Sequence, residues 1–253
     1  MLALVQVSHQ TTYSCDPAVS CGCSGKAVSL SRIIGGDVAD AGTWAWTVSI
    51  SMDNRNYCGG SILSSAWIVT AAHCVQMYSA SQLVVYAGSN TLWSGTQLRQ
   101  VSHVIQHPYF NTNTFANDIA LLRLATPFNM SGPGVGQICL PEMNSAILAA
   151  GEWPSVDTPA SSSFLLCLSF ERRCCSHQVV AVGWGRVVSD GRASTDLRQV
   201  TLKVIDFREP KCRALINDPH SQFCACEQDG LKGSSLAERS SSLYPFLRRY
   251  MPR

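Results

Sequence analysis

Charge is scarce in this chain, and so is any long apolar run. Charged residues make up 14% of its 253 residues, and the formal net charge is +2. Lys and Arg are scattered, and the one basic cluster (Arg248, Arg249 and Arg253) reads as a solvated end. No stripe of positive charge suits a nucleic-acid partner. No stretch approaches the ~20 apolar residues of a membrane-crossing helix; runs such as residues 164–168 are far too short. A membrane partner is therefore not expected. Zinc-site spacing is missing too: Cys21-Gly22-Cys23 and Cys174-Cys175 lack the two-residue gaps and paired histidines of tetrahedral coordination. Residues 87–100 hold no Asp or Glu to serve as calcium ligands. No metal or other cofactor is expected.

What is abundant is cysteine. Twelve cysteines in a chain of this size, with no metal pattern, read as disulfides and place the protein in an oxidising, extracellular compartment. The stretch Met1-Leu2-Ala3-Leu4-Val5-Gln6-Val7 is apolar but short, with no positive residue before it, and reads as part of a signal peptide. Apolar residues at 46% are ample for a globular core.

Along the chain, the first 32 residues, rich in Ser, Gly and Cys, form a leader. Composition then changes, and residues 46–51 alternate apolar with polar, the period of a half-buried strand. Further strand-like runs are 61–63, 67–70, 83–87, 97–105 and 119–124, with Gly, Asn, Ser or Pro between most of them. A second strand-rich block starts at Val179 and continues through 197–205, where Val200, Leu202 and Val204 alternate with Thr201 and Lys203. Many short strands, turn-rich connections and almost no helical periodicity predict an all-β sandwich or barrel. A long connection, 142–178, separates the blocks, and its middle matches neither neighbour in composition. From 227 to 253 the pattern dissolves into Ser-rich sequence.

Two strings carry candidate chemistry. Val69-Thr70-Ala71-Ala72-His73-Cys74 puts a histidine at a strand end beside a half-cystine, where an imidazole can be held still enough to take a proton from a nucleophile. Asn117-Asp118 immediately precedes an apolar strand, where a carboxylate can be buried against an imidazole N–H. Alone, each has an ordinary explanation: a structural histidine, and a turn-forming Asn-Asp pair.

Together with three more strings they do not. Arg32-Ile33-Ile34-Gly35-Gly36, Thr70-Ala71-Ala72-His73-Cys74, Asp118-Ile119-Ala120-Leu121-Leu122, Ile138-Cys139-Leu140-Pro141 and Gly183-Trp184-Gly185 occur in the order and rough spacing of the trypsin/chymotrypsin-like serine endopeptidases. The chain resembles that family from about Arg32 to Cys224. The resemblance implies two antiparallel six-stranded β-barrels with the active site between them. It puts the first barrel at 33–141, the connection with its anomalous insertion at 142–178 and a partial second barrel at 179–226. It makes His73 the general base and Asp118 its orienting carboxylate, acting on protein or peptide substrates. It also implies bridges Cys58–Cys74 and Cys212–Cys224, and a leader tether from Cys139 to Cys21 or Cys23. Pairing of Cys167, Cys174, Cys175 and Cys226 stays open. Arg32–Ile33 resembles the family's zymogen cleavage site, cut by a trypsin-like activating protease, after which the freed Ile33 amine must bury against a carboxylate. Separately, Asn129-Met130-Ser131 is a glycosylation sequon.

The pattern then fails. The family's nucleophile lies in Gly-Asp-Ser-Gly-Gly-Pro, roughly a dozen residues past the cysteine matched by Cys224, and this chain has no such string. Family spacing puts the position near Arg239 or Ser240. Arg239-Ser240-Ser241-Ser242 offers hydroxyls but no glycine to turn backbone N–H groups toward an oxyanion, and no Asp to receive the Ile33 amine. The base of the specificity pocket would fall at Lys232 or Gly233 and is unreadable. Removing about twenty residues from the region 157–177 would leave a connection of ordinary loop length. The two composition breaks point to non-coding sequence read through in frame, and to a wrong frame or exon after Cys224 or Cys226. The expectation is a serine endopeptidase by family, with no working nucleophile in this polypeptide. A non-catalytic binding scaffold, or the product of a mis-assembled gene, is the alternative.

Overall fold

Period-two alternation becomes a closed barrel. The computed structural model describes residues 11–13, 20–23, 28–30, 36–53, 56–140, 178–185, 193–205, 208–214 and 224–226. Among these the strands are β1 (Thr11–Tyr13), β2 (Val28–Leu30), β3 (Asp37–Val38), β4 (Thr47–Met52), β5 (Asn56–Ser64), β6 (Trp67–Thr70), β7 (Leu83–Ala87), β8 (Gln97–Gln106), β9 (Ala120–Leu124), β10 (Gln178–Gly183), β11 (Arg198–Ile205) and β12 (Cys224–Cys226). Two single-turn helices, α1 (Ala72–Val75) and α2 (Pro210–Arg213), and a 3₁₀ turn at Ala80–Gln82 complete the order. The expected all-β architecture is what the chain adopts.

The six strands from β4 to β9 close antiparallel in the order β4-β5-β6-β9-β8-β7. Closure leaves no edge strand to recruit another chain. Its interior holds Val48, Ile50, Ile62, Ile68, Leu83, Val85 and Leu122, all shielded from solvent. Each such side chain contributes roughly 1.5–3 kcal/mol of transfer free energy. A second cluster, Leu63, Ile119 and Leu121, packs with Trp67, Val69, Ile105 and Ile138.

One expectation is corrected here. Residues 46–51 read as half-buried, yet Ser49 and Ser51 on β4 are only 1% and 2% exposed. Small hydroxyl side chains let neighbouring elements cover the strand's second face, which period alone does not reveal. A steric demand acts next door on β5, where a Cβ on Gly60 would lie 2.9 Å from the Val69 carbonyl oxygen.

The second unit, among the described residues, is a four-stranded antiparallel sheet: β10-β11-β12, with β3 also paired to β11. It docks on the barrel through buried Ala39, Trp184 and Leu197, packed by Trp44, Tyr57 and Leu92. Polar contacts fix the register. Trp184 Nε1 donates to the Asn90 carbonyl at 2.7 Å, Tyr57 Oη to the Trp184 carbonyl at 3.0 Å, and Trp44 Nε1 to Gln199 Oε1 at 2.8 Å. Within the first 32 residues, β1 and β2 pair antiparallel.

Candidate active site

His73 sits where β6 ends. Ala71 is extended and caps α1, whose single turn buries Ala72, Cys74 and Val75 and leaves His73 on the outer side. Thr70 Oγ1 donates to the Gly59 carbonyl at 2.8 Å, closing the strand end. Directly after the histidine, a disulfide joins Cys74 to Cys58 on β5. The backbone on both sides of His73 is thus held by the barrel wall.

Asp118 arrives from the β8–β9 loop, at the entry to β9. Asparagines shape this loop. Asn111 Oδ1 accepts from the backbone N–H groups of Asn113 and Thr114 at 2.9 and 3.1 Å, and Asn117 Nδ2 donates to the Tyr109 carbonyl at 3.0 Å. Asn117 adopts φ +56°, a left-handed conformation that asparagine tolerates. That twist delivers Asp118 inward. Phe115 is also left-handed, φ +53°, which is uncommon for a bulky residue; its ring meets His73 edge-on at 5.8 Å and Phe110 at 6.5 Å.

The two residues meet closely. His73 Nδ1 lies 2.6 Å from Asp118 Oδ2, and the His73 backbone N–H donates to Oδ1 at 2.8 Å. The carboxylate is 5% exposed and the imidazole 45%. A buried carboxylate beside Nδ1 selects the tautomer with the proton there, so Nε2 carries the lone pair. Nε2 lies 3.5 Å from Cys74 Sγ and on the open side of the pair. Chemically, such an imidazole can accept a proton at Nε2, and the carboxylate stabilises the cation that forms. Cys58, His73 and Cys74 also bring three donor atoms within 4.8 Å of one another. The two sulfurs are bonded to each other, so the cluster offers one nitrogen and no metal centre.

The other expected positions divide. Cys139 bonds Cys21, not Cys23, and Cys23 is itself disulfide-bonded. The choice left open by the sequence falls on Cys21, where the Gly22 N–H also reaches the Gln137 carbonyl at 2.7 Å. Cys212 on α2 is buried and disulfide-bonded. The side chain of Cys224, the Arg32–Ile33 pair, the insertion and the segment around 239–242 lie outside the described residues. Asn129 is exposed, and its Oδ1 accepts from the Ser131 N–H at 3.1 Å.

Sequence reasoning passed over Phe115 and His107. Phe115 is flagged only by the run of asparagines around it, a signal of tight turns. His107, opening the same loop, accepts the Tyr109 N–H at Nδ1 over 3.2 Å. Burial lowers its pKa, because desolvation disfavours the charged ring.

The family model described as Trypsin matches residues 33–162. Ovochymase-2 of Mus musculus is 32% identical over 192 residues, spanning 74% of this chain and 27% of that protein. Transmembrane protease serine 5 of Homo sapiens is 39% identical over 130 residues, spanning 49% of this chain and 28% of that protein. The chain thus spans about a quarter of the length of these curated relatives. Among solved structures, scabies mite inactivated protease paralogue S-D1 superposes with a TM-score of 0.59 at 22% identity, over 79% of this chain and 77% of that one. That likeness is one of fold. No helix of the described residues is long and apolar enough to cross a membrane.

Proposed function

The chain belongs to the trypsin-like serine protease family, and from that premise we propose that it keeps the proton-transfer half of the reaction and has lost the attacking half. In the complete reaction a serine hydroxyl attacks a peptide carbonyl. His73 Nε2 takes the hydroxyl proton and later returns it to the leaving amine, while Asp118 holds the ring and stabilises the imidazolium. The observation that carries this reading is the double engagement of Asp118 by His73, through Nδ1 at 2.6 Å and through the backbone N–H at 2.8 Å.

The missing half follows from the sequence at the position the nucleophile should occupy. Ala237-Glu238-Arg239-Ser240-Ser241 contains no glycine, so it cannot present the paired N–H donors of an oxyanion site, each worth roughly 3 kcal/mol. It has no Asp to receive the Ile33 amine after cleavage at Arg32–Ile33. The family match covers residues 33–162, which hold His73 and Asp118 and not the segment at 237–241. The reading is therefore a secreted, zymogen-type endopeptidase lineage, acting on proteins after trypsin-like activation, represented here by a chain that does not cleave peptides. A fluorophosphonate probe tests it on the purified full chain, before and after trypsin-like cleavage at Arg32. No covalent adduct is expected in either state, and stoichiometric labelling of a serine would refute the reading.

A second reading rests on the closed barrel. Its six strands and sealed core support a folded, non-catalytic scaffold that binds a partner. Cooperative unfolding of a monodisperse protein would favour that scaffold, whereas aggregation of the purified chain would favour a mis-assembled product. Sequencing the transcript across 157–177 and beyond Cys224 decides whether a mature message encodes every residue.

A further inference from the structure

We infer that Asn129 carries an N-linked oligosaccharide, mounted at the end of the first barrel away from His73. Asn129-Met130-Ser131 is the only Asn-x-Ser/Thr sequence in the 253 residues, and the structure gives it a seat of its own.

The loop that bears it is docked rather than loose. Gln97, the first residue of β8, clasps Asn129 twice: Gln97 Nε2 donates to the Asn129 carbonyl at 2.8 Å, and the Asn129 N–H donates to Gln97 Oε1 at 2.8 Å. Arg99 Nε donates to the Pro127 carbonyl at 2.9 Å, and its guanidinium lies over the ring of Phe128, which is buried in the barrel core. The Asn129 side chain itself is exposed. Its Oδ1 accepts the Ser131 N–H, and Nδ2, the atom to be modified, makes no hydrogen bond among the described residues. A sugar on Nδ2 would leave every contact of the loop intact.

The topology sets where the sugar stands. Asp118 lies just before β9, whose first residue, Ala120, pairs with Gln106 at the far end of β8. Asn129 is held by Gln97 at the other end of that ten-residue strand. Ten residues of strand run roughly 30 Å, so glycan and imidazole belong to opposite ends of the barrel. The transfer itself needs a lipid-diphosphate oligosaccharide donor. Asn129 Nδ2 bonds the anomeric carbon, the lipid diphosphate leaves with the bonding pair, and one proton is released. No electron changes hands.

This inference rests on the secretory route proposed above and not on the catalytic reading. The test therefore supplies the route: the full chain is expressed behind a cleavable secretory leader in a eukaryotic host, with a control sequon appended after Arg253. Cell-retained and secreted pools are both analysed by intact mass with and without peptide N-glycosidase. Two glycans are expected, one lost in Asn129→Gln and in Ser131→Ala and retained in Ser131→Thr. A glycan at the appended control with Asn129 bare would overturn the proposal. Peptide-mapped acylation of His73 by diethyl pyrocarbonate should proceed at the same rate with and without the Asn129 glycan; a change of several-fold on deglycosylation would overturn its placement.

Discussion

Asp118 answers one residue with both of its oxygens: Oδ2 faces the His73 ring at 2.6 Å, and Oδ1 takes the His73 backbone N–H at 2.8 Å. One bond sets the ring and the other sets the main chain that carries it. Replacing Asp118 by Ala strips both acceptors from a buried site. Loss of about 1–3 kcal/mol is expected, read as a lower denaturant midpoint at unchanged slope. Asp118→Asn should keep the main-chain bond through its carbonyl oxygen and turn its amide N–H₂ toward Nδ1. The ring then shifts its proton to Nε2 and can no longer act as a base. Nitrogen NMR of the ring reads the tautomer directly.

The Cys58–Cys74 bridge pins α1 to β5 over a sequence separation of 16. Closing a loop of that length is worth about 3 kcal/mol. The double variant Cys58→Ser, Cys74→Ser is expected to lose roughly that much stability under non-reducing conditions. His73 should also become more mobile, visible as line broadening of its ring signals.

Trp184 joins the barrel to the second sheet from the buried cluster it shares with Ala39 and Leu197. Its indole N–H donates to the Asn90 carbonyl at 2.7 Å. Trp184→Phe keeps an aromatic ring but removes that donor, leaving the carbonyl with the Leu197 N–H at 2.7 Å, and should cost about 0.5–1.5 kcal/mol. Hydrogen exchange should rise in β10 and β11 more than in the barrel strands if the two units separate at this seam.

His107 makes stability depend on pH. Its folded pKa lies below the ordinary 6.5 because burial penalises the cation. As pH falls through 6.5, the unfolded chain takes up the proton before the folded one does. The contribution of this residue is therefore present above pH 6.5 and is lost as pH drops toward the folded value. His107→Gln, which can still accept the Tyr109 N–H, should flatten that limb of the stability–pH curve. Equilibrium unfolding across the acid range checks it.

Much of the first barrel is legible in the residues themselves. The runs at 67–70 and 83–87 carry clear β character and coincide with β6 and β7. Where the reading fell short, the cause is non-local. β5 begins at Asn56, five residues before the sequence signal, because pairing with β4 carries a segment whose glycines look like a turn. β3 is two residues long and exists through β11, with Gly36 beside it at φ +66° and within 2.5 Å of the Gln199 carbonyl oxygen once given a Cβ. No local pattern predicts that. At the site, the strings around His73 and Asp118 were visible, but their meeting was not derivable from either string. It depends on the antiparallel register of β6 against β9, which sets Thr70 opposite Ala120. The partner of Cys139 likewise needed three dimensions.

The account stands or falls on peptide turnover. Purified full chain, cleaved after Arg32 and free of contaminating protease, is incubated with a broad peptide library, and new termini are counted by mass spectrometry. The account predicts no cleavage above that of a matched His73→Ala protein. Turnover by the unsubstituted chain that disappears with His73→Ala would contradict it, because it would mean that a hydroxyl in this sequence is seated for attack.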